Sequence, residues 1–246
     1  FFFKQKTAYE IYQCDWSSDV CSSDLTSMSP FSVAQAAAQA EDFAKAAKFD
    51  DISEVKSLIA KGISPNTVDS KGNPMLVLAI KDKSTGVTEL LLQNRNIDVD
   101  LSNKYGETPL MMASFEGNLP LVKTLVLQNK ARIDHIGWTP LHYACTKGNL
   151  DVAKFLVANG AVVDSNALNG TTPLMMAVQS GNEELVRYLL DNGADLRIRN
   201  TQGFSAIDIA EIYEKPWIAD GLKSRWQRLY KQPYPGPLKP LPAKSS

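Results

Sequence analysis

The triplet Thr-Pro-Leu occurs three times in the chain, beginning at Thr108, Thr139 and Thr172. A glycine stands two residues before each triplet, and an alanine stands three residues after each leucine. The threonines are 31 and 33 residues apart. A recurrence near 33 residues indicates a repeat protein, in which each short unit buries its apolar face against its neighbours. The chain is therefore expected to form a single array of stacked units.

The fullest unit runs from Gly137 to Asp164 and reads GWTPLHYACTKGNLDVAKFLVANGAVVD. Thr139 is a favourable helix N-cap, and the proline after it suits the first helical turn, where its missing N–H costs nothing. We expect Gly148 to end this first helix, Asn149 to cap a second helix, and Gly160 to end the second in the left-handed conformation. Each unit is thus predicted to be a pair of helices.

The same positions recur in register on both sides of this unit. The first unit closes at Gly62, the second opens at Gly72, and a last unit opens at Gly203. About six units result. The second and third are 34 and 31 residues long, and the repeat register is least well defined at their connecting turns, over 94–101 and 129–134. The second helices of the three central units are predicted at Leu119–Gln128, Leu150–Ala158 and Glu183–Asp191.

The stretch GWTPLHYA, residues 137–144, resembles the ankyrin repeat, and the resemblance covers roughly residues 41–214. It implies an all-α ankyrin-repeat solenoid of about six helix-turn-helix units joined by short β-hairpins. It also implies that His142 forms hydrogen bonds between neighbouring units. A C-terminal capping helix is predicted near 218–231, where four apolar residues fall at helical spacing: Ile218, Leu222, Trp226 and Leu229.

Residues 1–25 show no helical or strand period and resemble the conceptual translation of a DNA sequencing-library adapter. A natural disordered leader is the alternative. On the adapter interpretation Cys14 and Cys21 carry no function, and the natural N-terminus and any secretion signal were lost upstream. The predicted domains are a linker at 26–31, the repeat domain with its capping helix at 32–232, and a Pro-rich basic tail at 233–246.

The tail contains a PxxP sequence, Pro237-Leu238-Lys239-Pro240. One interpretation is a docking peptide in polyproline conformation. The other is a solvated tail, or one laid along the capping helix.

Composition limits the classes of function. Residues 26–246 carry 24 basic and 23 acidic side chains, so a basic nucleic-acid footprint is absent. Cys145 is the one cysteine in this part, so neither an internal disulfide nor a thiolate metal site is expected. No phosphate-binding loop or hydrolase motif occurs, and no apolar run could span a bilayer. We predict a monomer without enzymatic activity, metal or cofactor, and leave the compartment open between cytoplasmic and exported or periplasmic.

The resemblance implies a protein-binding module, since partners of ankyrin arrays usually meet the hairpin tips and the exposed face of the first helices. An alternative is an accessory protein that stabilises or inhibits one dedicated partner enzyme. For Trp138, packing on neighbouring hairpins is weighed equally with partner contact. The predicted protein-binding residues are Lys104, Tyr105, Glu107, Phe115, Glu116, His135, Trp138, Lys147, Asn169, Thr171, Gln179 and Phe204.

Overall fold

The computed structural model describes residues 30–238, with side chains from residue 37 onwards. The adapter-like residues 1–25, most of the predicted linker and the tail residues 239–246 lie outside the described residues. The described chain forms an all-α repeat fold, as predicted. Its helices follow one another as six pairs: α1 Pro30–Lys48 and α2 Ile52–Ala60; α3 Met75–Lys81 and α4 Thr85–Leu92; α5 Pro109–Phe115 and α6 Leu119–Lys123; α7 Pro140–Thr146 and α8 Leu150–Ala158; α9 Pro173–Ser180 and α10 Glu183–Asp191; α11 Ala206–Ile212 and α12 Pro216–Tyr230.

These helices fall into two compact units, of which unit 1 ends at Pro109 and unit 2 begins at Leu110. In unit 1, α1 packs on α2 and α3, and α2 packs on α4. In unit 2, first helices stack on first helices, in the order α7, α9 and α11. Second helices stack likewise, with α6 on α8 and α8 on α10. Within each unit, the apolar face of one pair is therefore covered by the next pair.

The first helix of every described pair is followed by one residue in the left-handed conformation, which turns the chain toward the second helix. Gly148, with φ of 70°, does this after α7, as predicted. Glycine has no Cβ and adopts this conformation without steric cost. The other five pairs place the following residues there: Asp50, Lys83, Gly117, Gly181 and Glu214.

The N-cap of α7 matches the sequence prediction. Thr139 accepts the backbone N–H of His142, and His142 in turn accepts the N–H of Thr139, which makes a capping box. Asn149 stands at the N-cap position of α8 as predicted, but its side chain forms no capping hydrogen bond there. Its side-chain amide donates instead to the carbonyl oxygens of Ser114 and Phe115, at 2.8 and 2.9 Å. This asparagine therefore binds the preceding helix pair to its own pair.

The loops between pairs turn without forming the predicted β-hairpin strands in the described part of the chain. The backbone N–H of Asn103 donates to the oxygen of Glu107 at 3.1 Å, and Gly106 donates to Asn103 at 2.9 Å. The same two bonds close the loops at 69–73, 167–171 and 200–204. Two hydrogen bonds per loop are too few for a strand ladder. In the described residues one isolated antiparallel bridge is formed, between Val68 and Pro74.

The second helix of the third pair is irregular. α6 continues as a π-helical segment, Thr124–Gln128, so that the helix still ends where the sequence predicted. The left-handed Lys130 follows the start of this helix by one residue more than Gly160 follows the start of α8. A π-turn accommodates this one extra residue. The unit is nevertheless two residues shorter than the next, because the chain from Lys130 to Thr139 is three residues shorter than the chain from Gly160 to Thr172.

The helix predicted near 218–231 is observed as α12, and it packs against α11 as the second helix of the last described pair. Ile218, Leu222 and Trp226 are buried, whereas Leu229 is exposed. None of the helices described is long and apolar enough to cross a membrane.

Candidate functional site

The loop of unit 1 that precedes α5 presents a lysine and a tyrosine on its tip. Tyr105 is 59% exposed, and the Lys104 ammonium lies 5.1 Å from the centre of its ring. Asn103 is buried below them, and its side-chain oxygen accepts the backbone N–H groups of Tyr105 and Glu107. The Glu107 carboxylate accepts the amide of Asn103 at 2.7 Å. Glu107 therefore supports the loop, while Lys104 and Tyr105 face outward.

A cluster of two aromatic rings and a cation lies at the C-terminal ends of α5 and α7 in unit 2. The rings of Phe115 and Tyr143 meet edge to face, with centroids 6.3 Å apart. The Nζ atom of Lys147 lies over the Phe115 ring, 4.8 Å from its centre. Both rings are half-buried and Lys147 is exposed. Phe115, Tyr143 and Lys147 are called the ring cluster below.

The sequence prediction included Phe115 and Lys147 but missed Tyr143. Tyr143 occupies the helix position at which Met112 and Met176 stand in the neighbouring units, and Met112 is buried. Position in the repeat therefore indicated core. The available signal was its spacing of four residues from Lys147, which places both on one face of α7.

Trp138 and His142 form a second contact between rings, with centroids 5.2 Å apart at an angle of 73°. Trp138 is half-buried by this packing. His142 is fully buried, and its Nε2 donates to the carbonyl oxygen of Thr171 at 3.0 Å. The hydrogen bond between neighbouring repeats that the resemblance implied for His142 is thus present.

Burial lowers the pKa of His142 to about 4, although its hydrogen bond to the Thr171 carbonyl acts in the opposite direction. Because Nδ1 accepts the backbone N–H of Thr139 at 3.2 Å, the ring is neutral with its proton on Nε2. This histidine is a structural link whose protonation state does not change near neutral pH.

Two predicted binding residues of the next loop take part in loop structure. Asn169 is half-buried and accepts the backbone N–H of Thr171 at 3.1 Å. The backbone N–H of Thr201 also donates to the carbonyl oxygen of Asn169 at 2.9 Å. Thr171 is buried and receives the bond from His142.

The remaining predicted residues differ in accessibility. Glu116 is exposed, and His135 and Gln179 are half-buried. The Nε2 atom of His135 forms a hydrogen bond with the carbonyl oxygen of Arg132 at 3.1 Å. Phe204 is 8% exposed, and its backbone N–H donates to the side-chain oxygen of Asn200 at 3.0 Å.

Two exposed apolar residues of unit 2 were absent from the predicted site. Ile136 is 99% exposed and Leu168 is 63% exposed, each on the loop before a first helix. Both positions fall on the hairpin tips that the resemblance implies, but neither residue was included among the predicted binding residues.

The described residues carry no arrangement suited to metal binding or thiol chemistry. None of their His, Cys, Asp and Glu side chains group in threes around a common point. Burial raises the pKa of the Cys145 thiol well above its ordinary value, so it stays protonated within the core.

Stacked helix pairs, Thr-Pro N-caps and the link that His142 makes to the following pair define a helical-repeat protein. The family model for ankyrin repeats (3 copies) matches residues 43–136 and 117–200. These matches cover more than half of the chain, which belongs to the ankyrin-repeat family. Ankyrin repeats are generic protein–protein interaction modules and are typically non-enzymatic. The comparison with curated proteins found no match.

Proposed function

We propose that the chain is a non-enzymatic protein-binding module and that the ring cluster is the centre of its contact surface in unit 2. One observation supports this best. Phe115 and Tyr143 keep part of their rings accessible on the first helices, where packing holds them in place. Aromatic residues are enriched among the residues that contribute most binding energy at interfaces.

The geometry of the cluster suits association with a protein. Phe115 and Tyr143 restrict each other edge to face, so they lose little side-chain entropy when a partner binds. The Lys147 ammonium lies over the Phe115 ring. This cation–π contact becomes stronger when a bound partner excludes water from it. The surface is thus ordered before the partner arrives.

We infer two further features of this module. The six helix pairs are six ankyrin units, because each carries a left-handed residue at the equivalent junction. In unit 1, Lys104 and Tyr105 form a contact of the same chemical kind, a cation beside an exposed ring.

The proposal is tested by affinity capture with the full chain, followed by calorimetry on each captured protein. A Phe115→Ala, Lys147→Ala variant should bind at least about tenfold more weakly, because truncating a hot-spot side chain at the centre of an interface costs about 2 kcal/mol or more. The matched control is Lys154→Ala, Arg187→Ala, which alters two exposed residues of the second helices.

Circular dichroism and thermal melting establish that both variants are folded. Equal Kd values for the ring-cluster variant and the control would contradict the assigned surface. If a captured protein is an enzyme, its activity with and without the chain tests the accessory-protein alternative.

A further inference from the structure

The first helices α7 and α11 of unit 2 begin with the same motif. Each starts with a capping box, formed by Thr139 and His142 in α7 and by Ser205 and Asp208 in α11. Asp208 therefore occupies the position of His142, and both side chains are fully buried. The partners of the two side chains can be compared directly.

His142 donates forward to the loop that follows its pair. Its Nε2 reaches the carbonyl oxygen of Thr171, 29 residues later, at 3.0 Å. This side chain therefore binds one helix pair to the loop of the next.

Asp208 makes the equivalent forward contact with the donor and acceptor exchanged. The hydroxyl of Tyr234, 26 residues later, donates to Oδ2 of Asp208 at 2.6 Å. The same oxygen accepts the backbone N–H of Ser205 at 2.7 Å. Burial, together with the bond to Asp208, raises the pKa of Tyr234 to about 12, so the phenol remains a donor. In α7 a histidine donates to a backbone carbonyl, whereas in α11 a carboxylate accepts from a tyrosine hydroxyl.

The residues that follow Tyr234 are hydrogen-bonded to the loop that precedes α11. Arg199 contacts Oδ2 of Asp208 through Nη1 at 3.3 Å and donates through Nη2 to the carbonyl oxygen of Gly236 at 2.8 Å. The backbone N–H of Leu238 donates to the carbonyl oxygen of Gly203 at 3.3 Å. The described part of the tail therefore lies on the last pair and its loop.

Successive loops in unit 2 contact each other in a comparable way. The N–H of Thr201 donates to the carbonyl oxygen of Asn169 in the preceding loop at 2.9 Å. Leu238 in turn donates to the loop that contains Thr201. The tail occupies the side of the last loop on which a following loop would lie.

We propose that residues 234–238, the C-terminal strap, take the place of a following repeat's loop and hold the last helix pair closed, with Tyr234 and Asp208 as the latch. The edge-to-face contact between Tyr234 and Trp226, with centroids 5.1 Å apart, joins the strap to α12 as well. A buried carboxylate needs hydrogen-bond donors to offset its lost hydration, and the strap supplies one of them. The strap also covers the face of the last pair that a further repeat or a second copy of the chain would otherwise contact.

Hydrogen exchange on the full chain carrying Tyr234→Phe tests the latch, because this variant keeps the ring and removes only the hydroxyl. Bonds to charged groups are among the strongest in proteins, so amides of α11 should exchange about tenfold faster or more. Amides of α1 to α4 should be unchanged. Tyr213→Phe, which alters an exposed tyrosine beside the same helix, is the matched control. Unchanged exchange in α11 of Tyr234→Phe would overturn the proposal.

A second measurement separates the latch from a general effect of the phenylalanine. In an Asp208→Asn background the acceptor is neutral, so adding Tyr234→Phe should accelerate exchange in α11 by much less than tenfold. The same acceleration in both backgrounds would show that Tyr234 acts without Asp208, and the latch would be wrong.

Discussion

His142 is a fully buried histidine, and this burial makes the free energy of unfolding depend on pH. Its pKa is lowered by burial to about 4 from an ordinary 6.5. Above pH 6.5 the ring is neutral in both folded and unfolded chains. Between pH 6.5 and 4 only the unfolded chain binds the proton, so stability falls as the pH falls.

We expect His142→Met, which introduces the residue present at the equivalent position 175, to weaken this pH dependence. Between pH 7.5 and 5, the wild-type free energy of unfolding should fall by about 2 kcal/mol more than that of the variant. Urea titrations at the two pH values measure the difference. Parallel losses in both proteins would contradict neutral burial of His142.

Helices of this protein are capped by neighbouring pairs as well as by their own residues. In unit 1, the Asp50 carboxylate accepts the backbone N–H groups of Val87 and Gly86, at 2.7 and 3.2 Å. Ser84, the N-cap of α4 itself, donates its hydroxyl instead to the carbonyl oxygen of Lys48 at 3.0 Å. The start of α4 therefore depends on a side chain from the first pair.

Removing this carboxylate should destabilise the fold. Glycine tolerates the left-handed backbone at position 50, where φ is 57°. Asp50→Gly should therefore remove only the capping carboxylate, and lower the free energy of unfolding by about 1 kcal/mol. Lys130→Gly, at another left-handed position, should change it by less than about 0.5 kcal/mol. Chemical denaturation compares the two. An equal loss in both variants would assign the effect to glycine alone.

At the scale of a repeat array, stability is approximately the sum of the stability of each helix pair and of its contacts with the neighbouring pairs. Leu156 lies fully buried in α8, which packs between α6 and α10 within unit 2. Leu156→Ala should lower the free energy of unfolding by about 2–5 kcal/mol, because a cavity remains where the side chain was. Hydrogen exchange should accelerate most in α6, α8 and α10.

Val162→Ala serves as the control, because Val162 is 54% exposed and its truncation should cost under about 0.5 kcal/mol. Denaturant titration and exchange are measured on both variants. Equal acceleration in all described helices would contradict stabilisation by nearest neighbours.

Much of the scaffold was predictable because it depends on local rules. Thr139 caps α7, the proline after it opens the helix, and Gly148 and Gly160 adopt the left-handed conformation after the helices they end. These outcomes depend on a few neighbouring residues and on backbone sterics. The bounds of the central second helices matched the prediction for the same reason.

The details of the candidate site were less predictable because they depend on residues distant in sequence. Tyr143 joins Phe115 and Lys147 only when α5 and α7 stand side by side. Phe204 shares its loop position with Trp138, yet it is buried while Trp138 stays half-buried. The accessibility of each ring depends on what the adjoining elements place over it.

The sequence by itself determined the repeat, its all-α character and the positions of the caps, since periodic apolar residues and turn residues act over short distances. The tertiary structure decided which pair supplies each cap, how an extra residue became a π-turn, and where residues 234–238 lie. These outcomes follow from donors and acceptors that meet only after the helix pairs have stacked, so no local pattern encodes them. Asn149 illustrates this, because a capping residue by type became a link between neighbouring pairs.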